Sequence, residues 1–156
     1  MNLHPIRIPR AWIAILAMLL VCGGARAGAP VMKANGGGTF ESGGVLNRVG
    51  FTARIDTGGA VKGEAQFQLR DQGLRLHVVV DCLSVLGNEA WIGGIVLTSS
   101  DPTLVGTHVT WRVQDNREGG GGPDQLSLPV PGAASDCVPQ PALPLVPLTE
   151  GDIQVE

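Results

Sequence analysis

The chain reads as all-β: a single antiparallel β-sandwich or small β-barrel of about seven to eight strands, placed after a cleaved signal peptide. Three observations predict this. Apolar and polar residues alternate with period two over several stretches between Val45 and Gln114, the signature of half-buried strands. Glycine-, Asp- and Asn-rich turns interrupt the alternation at short, regular intervals. No stretch after residue 27 repeats apolar residues at a 3.6-residue period between caps.

The N-terminus has the composition of an export address. Met1 to Arg10 carries Arg7 and Arg10 and no acid, and Ala11 to Val21 is a continuous apolar run. Ala25-Arg26-Ala27 supplies the small residues of a cleavage site, so residues 1–27 are read as a secretory signal cut after Ala27. A spanning helix needs about 20 apolar residues, more than this run holds. A lipidation box ending at Cys22 would require a small residue where Val21 stands. The expected product is a single secreted or periplasmic domain, residues 28–156.

Without the leader, 8 basic residues face 14 acidic ones, a net charge of −6. No basic cluster suggests a nucleic-acid footprint, and no basic amphipathic face suggests an anionic membrane surface. The length is enough for one domain with a genuine core.

In chain order, Gly28 to Asn35 shows little pattern and is expected to fray. Gly36-Gly37-Gly38-Thr39-Phe40, with Gly43-Gly44 close behind, suggests a bent or bulged strand that begins the sheet. No phosphate-loop pattern accompanies these glycines. Val45, Asn47, Val49, Phe51, Ala53 and Ile55 share one strand face, and Thr57-Gly58-Gly59 is a turn. Val61, Gly63, Ala65, Phe67 and Leu69 then point inward while Lys62, Glu64, Gln66, Gln68 and Arg70 point to water.

The segment Leu74 to Leu97 organises the rest. It reads as two long strands folded back at Gly87-Asn88, with Leu76, Val78, Val80 and Cys82 on one face. Gly93-Gly94 breaks the return strand and suggests a bulge or a close backbone approach. Thr98 to Gly106 is a loop around Asp101-Pro102 with room for a short helical turn. Val109, Trp111 and Val113 face inward on the next strand, and Leu126 and Leu128 mark a short one. Pro139 to Pro147 should be extended and outside the ladder or on an edge. Gly151 to Glu156 alternates again and should pair with an early strand.

Cys22 leaves with the leader, so Cys82 and Cys137 are the two cysteines of the exported domain. Two cysteines in an oxidising compartment have one intramolecular pairing, and no CxxC spacing suggests redox chemistry. A Cys82–Cys137 disulfide is therefore expected.

Few residues suggest reactive chemistry. Asp115, Asn116, Glu118 and Asp124 offer hard oxygen ligands for Ca²⁺, although their spacing is not that of an EF-hand. The competing and favoured reading is a solvated hairpin loop with Asx turns. His77 and His108 fall on outward faces, without the HxH or HExxH spacing of a zinc site, and read as surface or cross-strand histidines. No GxSxG elbow or paired-carboxylate segment points to hydrolysis. Trp91 and Trp111 alternate in phase with aliphatic residues and are expected in the core.

Several segments resemble a group of uncharacterised secreted bacterial proteins, those of the post-COAP-1 type domain. They are Gly36–Phe40, Gly58–Phe67, Leu76–Gly94, Val113–Leu128 and Gly151–Glu156. The resemblance covers nearly all of the exported part and rests on turn glycines and strand residues. It implies a single exported β domain and no catalytic activity.

These readings converge on an exported non-catalytic module with a protein or small-molecule partner, no cofactor, no metal and no catalytic residues. The alternatives are a small barrel that binds an apolar small molecule and a Ca²⁺-binding loop protein. A metal-dependent hydrolase stands behind these.

Overall fold

A computed structural model of the chain describes residues 32–116, 121–132, 137 and 143–156. The leader, its cleavage site after Ala27, and Glu118 lie outside these residues. The glycine-rich opening of the domain is one long strand: β1 runs over Met32–Ser42, so residues from Met32 onward do not fray. It turns tightly at Gly43-Gly44, where φ is 61° and 76°, into β2 (Val45–Ile55). Two consecutive positive φ angles give the turn a twist that matches the right-handed twist of its strands.

The chain continues as a meander. β3 covers Val61–Leu69, β4 Leu74–Leu86, β5 Glu89–Ser99 and β6 His108–Gln114. One turn of 3₁₀ helix, Pro102–Leu104, fills the Asp-Pro loop before β6, and the Asp101 side chain caps it. Two short pieces follow, β7 (Gln125–Leu126) and β8 (Val130–Pro131), and the chain ends in β9 (Val146–Val155).

Each strand from β1 to β6 pairs with the next, β6 pairs with β7, β7 with β9, and β9 returns to β1. All pairings are antiparallel. The sheet is thus a closed eight-stranded barrel, and β8 is an extra piece beside β6. Closure removes the edges that an open sheet would leave for aggregation. The C-terminal segment pairs with the first strand as its alternation predicts, Ala34 opposite Val155. Pro147 does join the ladder, opposite Gln125, because β9 begins at Val146; residues 139–142 lie outside the description.

Tight closure needs wall positions without side chains. A Cβ on Gly38 would sit 2.1 Å from the Glu150 carbonyl oxygen of β9, so β1 and β9 close only around glycine there.

Eight strands enclose a space just wide enough for side chains to fill. Trp111 is fully buried at its centre, with Phe51 and Phe67 edge-on to it at 6.5 and 5.3 Å between ring centroids. Phe40, Leu69, Val78, Ile92, Val96, Leu126 and Ile153 complete the interior. The interior is therefore a packed core, and the surface depressions described below lie on the outside of the wall. Among the described residues, no helix is long and apolar enough to cross a membrane.

Candidate functional site

Two one-residue bulges decide which side chains line the outer wall between β4 and β5. Leu97 is the extra residue on β5, between the pairs His77–Thr98 and Val78–Val96. Asp81 is the extra residue on β4, between Val80–Gly94 and Cys82–Gly93. A single inserted residue reverses the alternation beyond it. Leu76, Val78 and Val80 point inward as the sequence predicts, but after Asp81 it is Leu83 that enters the core. Cys82 therefore faces outward, against the expectation that it shares the Val78 and Val80 face.

Trp91 is corrected in the same way. It is buried, but in a separate cluster with Cys82 and Cys137 on the outside of the barrel, while Trp111 occupies the core as expected. The cysteines form the predicted disulfide, with Cα atoms 5.6 Å apart. The Arg112 guanidinium lies over the Trp91 ring, 5.4 Å from its centroid, and pairs with Glu89.

Next to the bridge, His108 Nε2 and Asp81 Oδ1 are 2.9 Å apart. The histidine side chain is 7% exposed and the Asp81 side chain 40%. His108 Nδ1 is buried and has no hydrogen-bond partner among the described residues. Gly93 makes room for this cluster: a Cβ there would lie 2.6 Å from Cys82 Sγ and 2.8 Å from His108 Cε1. The close approach read from Gly93-Gly94 is real, and side chains as well as backbone make it. Asp81, Cys82 and His108 bring their ligand atoms within 4.8 Å of one another. While Cys82 is bonded to Cys137, its sulfur is neither a thiolate nucleophile nor a metal ligand.

His77, the second predicted outward histidine, pairs across strands with Glu64 at 3.1 Å. It lines two adjoining depressions on the outer wall of β1–β5. One, about 590 Å³, has Arg48, Gln66, Gln68, Arg75, Thr98 and Ser100 around it. The other, about 860 Å³, is lined by Lys33, Asn35, Arg54, Lys62, Val79 and Leu97 among others. All described Lys and Arg residues except Arg112 lie on β1–β4 or the β3–β4 turn. Lys33 is paired with Glu156 and Lys62 with Asp56, whereas Arg48, Arg54 and Arg75 have no ion-pair partner among the described residues. Val79 and Ile95, a cross-strand pair, and Leu97 form an exposed apolar strip beside these cations.

Of the loop carboxylates, Asp115 and Asp124 are buried rather than solvated, and Glu118 lies outside the described residues. Asp124 Oδ1 accepts from the Asn116 N–H at 2.9 Å and Oδ2 from the Ile153 N–H at 2.7 Å. Asp115 Oδ2 accepts from the Val155 N–H at 3.3 Å, and the Asn116 amide donates to the Pro123 carbonyl. Asp124 Oδ2 and Asp115 Oδ2 are thus turned to backbone donors of β9 and Asp124 Oδ1 to the backbone of Asn116, which is the arrangement of a structural clasp rather than of a cation cage.

Sequence reasoning identified the bridge and read both histidines as outward or cross-strand residues, but missed Asp81 as a partner and the arginine-bearing face as a unit. Alternation marked Arg48, Arg54 and Arg75 as outward, so that face was within reach of a register argument. No family model, curated protein or solved structure matches this chain.

Proposed function

We propose that the protein is an exported, non-catalytic binding module that docks an acidic partner protein on the outer wall of β2–β4. The supporting observation is the charge arrangement. The exported part carries a net charge of −6, yet its described cations other than Arg112 lie on β1–β4 or the β3–β4 turn, with Arg48, Arg54 and Arg75 unpaired among the described residues. Over β2, β3 and β4 up to Val80, Glu64 is the one acid on the strands. Such a field steers acidic surfaces and sets orientation, and the neighbouring Val79, Ile95 and Leu97 strip adds apolar area.

The filled interior favours this reading over the apolar-ligand barrel, since the space such a ligand would take holds Trp111 and the phenylalanines. The signal-like leader and the resemblance to secreted post-COAP-1-type proteins support export.

The test is an amide chemical-shift titration of labelled protein with a synthetic peptide of alternating Glu and Leu, beside a Lys-Leu control. Shifts should concentrate on β2–β4, weaken with salt and vanish in a double Arg48→Glu, Arg75→Glu variant. Shifts elsewhere, or an unaltered response of the double variant, would contradict the proposal.

A further inference from the structure

We propose that two-electron reduction of the Cys82–Cys137 bridge turns this corner of the outer wall into a zinc site, with Cys82, Cys137, His108 and Asp81 as ligands. Three observations carry it. The donor set after reduction would be two thiolates, an imidazole and a carboxylate, the chemistry of a closed tetrahedral Zn²⁺ centre. Asp81, Cys82 and His108 already hold their ligand atoms within 4.8 Å of one another, and Cys137 is bonded to Cys82. His108, whose side chain is 7% exposed, stands with its ring against the bridge and has a buried Nδ1 without a partner among the described residues.

The position of the bridge makes the conversion compatible with the fold. The disulfide ties Cys137 to the outside of a barrel whose eight strands are closed by their own hydrogen-bond ladders. No strand pairing runs through the bridge, so breaking it removes no ladder hydrogen bond. Asp81 reaches the site because it is the bulged residue, and Gly93 leaves the space.

The step balances as follows. A dithiol reductant gives two electrons and two protons, its own sulfurs join, the Cys82–Cys137 bond breaks and two thiols form. Zn²⁺ binding then releases both thiol protons to solvent. The oxidised protein cannot offer the thiolates, so metal binding is gated by redox state.

The experiment uses Co²⁺ as a spectroscopic stand-in for Zn²⁺ on the exported chain, reduced with dithiothreitol and freed of it without air. The expected result is one Co²⁺ per reduced chain, with thiolate charge-transfer and tetrahedral ligand-field bands that Zn²⁺ bleaches, and no such bands before reduction. Asp81→Asn and His108→Ala should each weaken binding at least about tenfold, with circular dichroism showing that the folds persist. Should His108→Ala fail to fold, Asp81→Asn, at a 40% exposed side chain, carries the test alone. Absence of thiolate bands in the reduced protein overturns the proposal. So does affinity unchanged in Asp81→Asn, which would indicate chelation by the two thiols alone, or a reduced chain that unfolds and does not refold on Zn²⁺ addition.

Discussion

Asp124 offers the sharpest test of how this barrel is closed. β9 meets β7 through only two residue pairs, Gln125–Pro147 and Leu126–Val146, as few as join β6 to β7 and fewer than at any other junction of the ring. Asp124 reinforces it from both ends: its backbone carbonyl accepts from Leu148 N–H and its two carboxylate oxygens accept from Asn116 and Ile153. At 1% exposure, water cannot replace those side-chain bonds. Asp124→Ala takes the acceptor from two N–H groups, the buried one of Ile153 and the part-buried one of Asn116. Each costs about 1–3 kcal/mol, so the substitution should remove about 4 kcal/mol, a large part of the ~5–15 kcal/mol that holds a domain folded. With a urea slope of about 2 kcal/mol per molar, the midpoint should fall by about 2 M.

Asp124→Asn keeps the volume and one oxygen but turns an amide N–H toward a backbone N–H, and should fall between wild type and Ala. Asp71→Ala, in the exposed β3–β4 turn, is the control and should change little. The same assay separates the clasp from calcium binding. Because both Asp124 oxygens already accept backbone donors, millimolar Ca²⁺ should leave the wild-type midpoint unchanged. A midpoint shift below about 0.5 M in Asp124→Ala at unchanged slope, or stabilisation by Ca²⁺, would refute the reasoning.

Three further outcomes follow from the same geometry. Gly38→Ala should destabilise by at least about 2 kcal/mol, because its Cβ would collide with backbone that can yield only by opening the β1–β9 seam; a thermal melt checks it. The Asp56 carboxyl is held below its ordinary value, first by the Ala60 N–H, against an opposing desolvation, with the Gly58 N–H and Lys62 adding to the lowering. A depressed carboxyl stabilises above its unfolded value and loses that contribution as pH falls through the folded one. The gap between wild type and Asp56→Asn should therefore be full near neutrality, shrink below the ordinary 3.8, and close in stronger acid, as urea melts across pH would show. Reducing the disulfide, which closes a 55-residue separation, should cost up to about 4 kcal/mol while far-ultraviolet dichroism keeps its β signature.

The strand walls were legible from sequence because half-buried strands encode their faces residue by residue. Val49, Phe51 and Ala53, then Ala65, Phe67 and Leu69, then Val109, Trp111 and Val113 all enter the core where alternation places them. What failed were features whose signal is one residue long or lies far away in sequence. Nothing in Val-Val-Asp-Cys-Leu distinguishes an uninterrupted strand from one with Asp81 extruded, yet that choice moves Cys82 from core to outer wall and gives Asp81 a place beside His108. Trp91 follows, since its burial depends on the bridge and on Arg112 rather than on the barrel. Asp115 and Asp124 sit in a stretch composed like a solvated loop; their partners, Val155 and Ile153, lie 40 and 29 residues away.

The same bulge explains why the outer wall can differ from one end to the other. Before Asp81, the outward residues of β4 are Arg75, His77 and Val79, which belong to the cationic face with its apolar strip. After it, the first outward residue is Cys82, which belongs to the sulfur, indole and imidazole cluster. An uninterrupted β4 would turn Cys82 toward Trp111 and set Leu83 in water, exchanging a packed leucine for an inward sulfur and breaking the bridge. The inserted residue thus lets one strand keep a continuous apolar interior while it presents two chemically different surfaces outside. Deleting Asp81 should accordingly leave that division in place. Without the extra residue, alternation from the inward Val80 still sets Cys82 outward and Leu83 and Val85 inward, so Cys82 and Cys137 should remain bridged and resist alkylation, as mass spectrometry would show, while the carboxylate beside His108 is lost. A deletion variant in which both thiols react would mean that the bulge does not set the alternation.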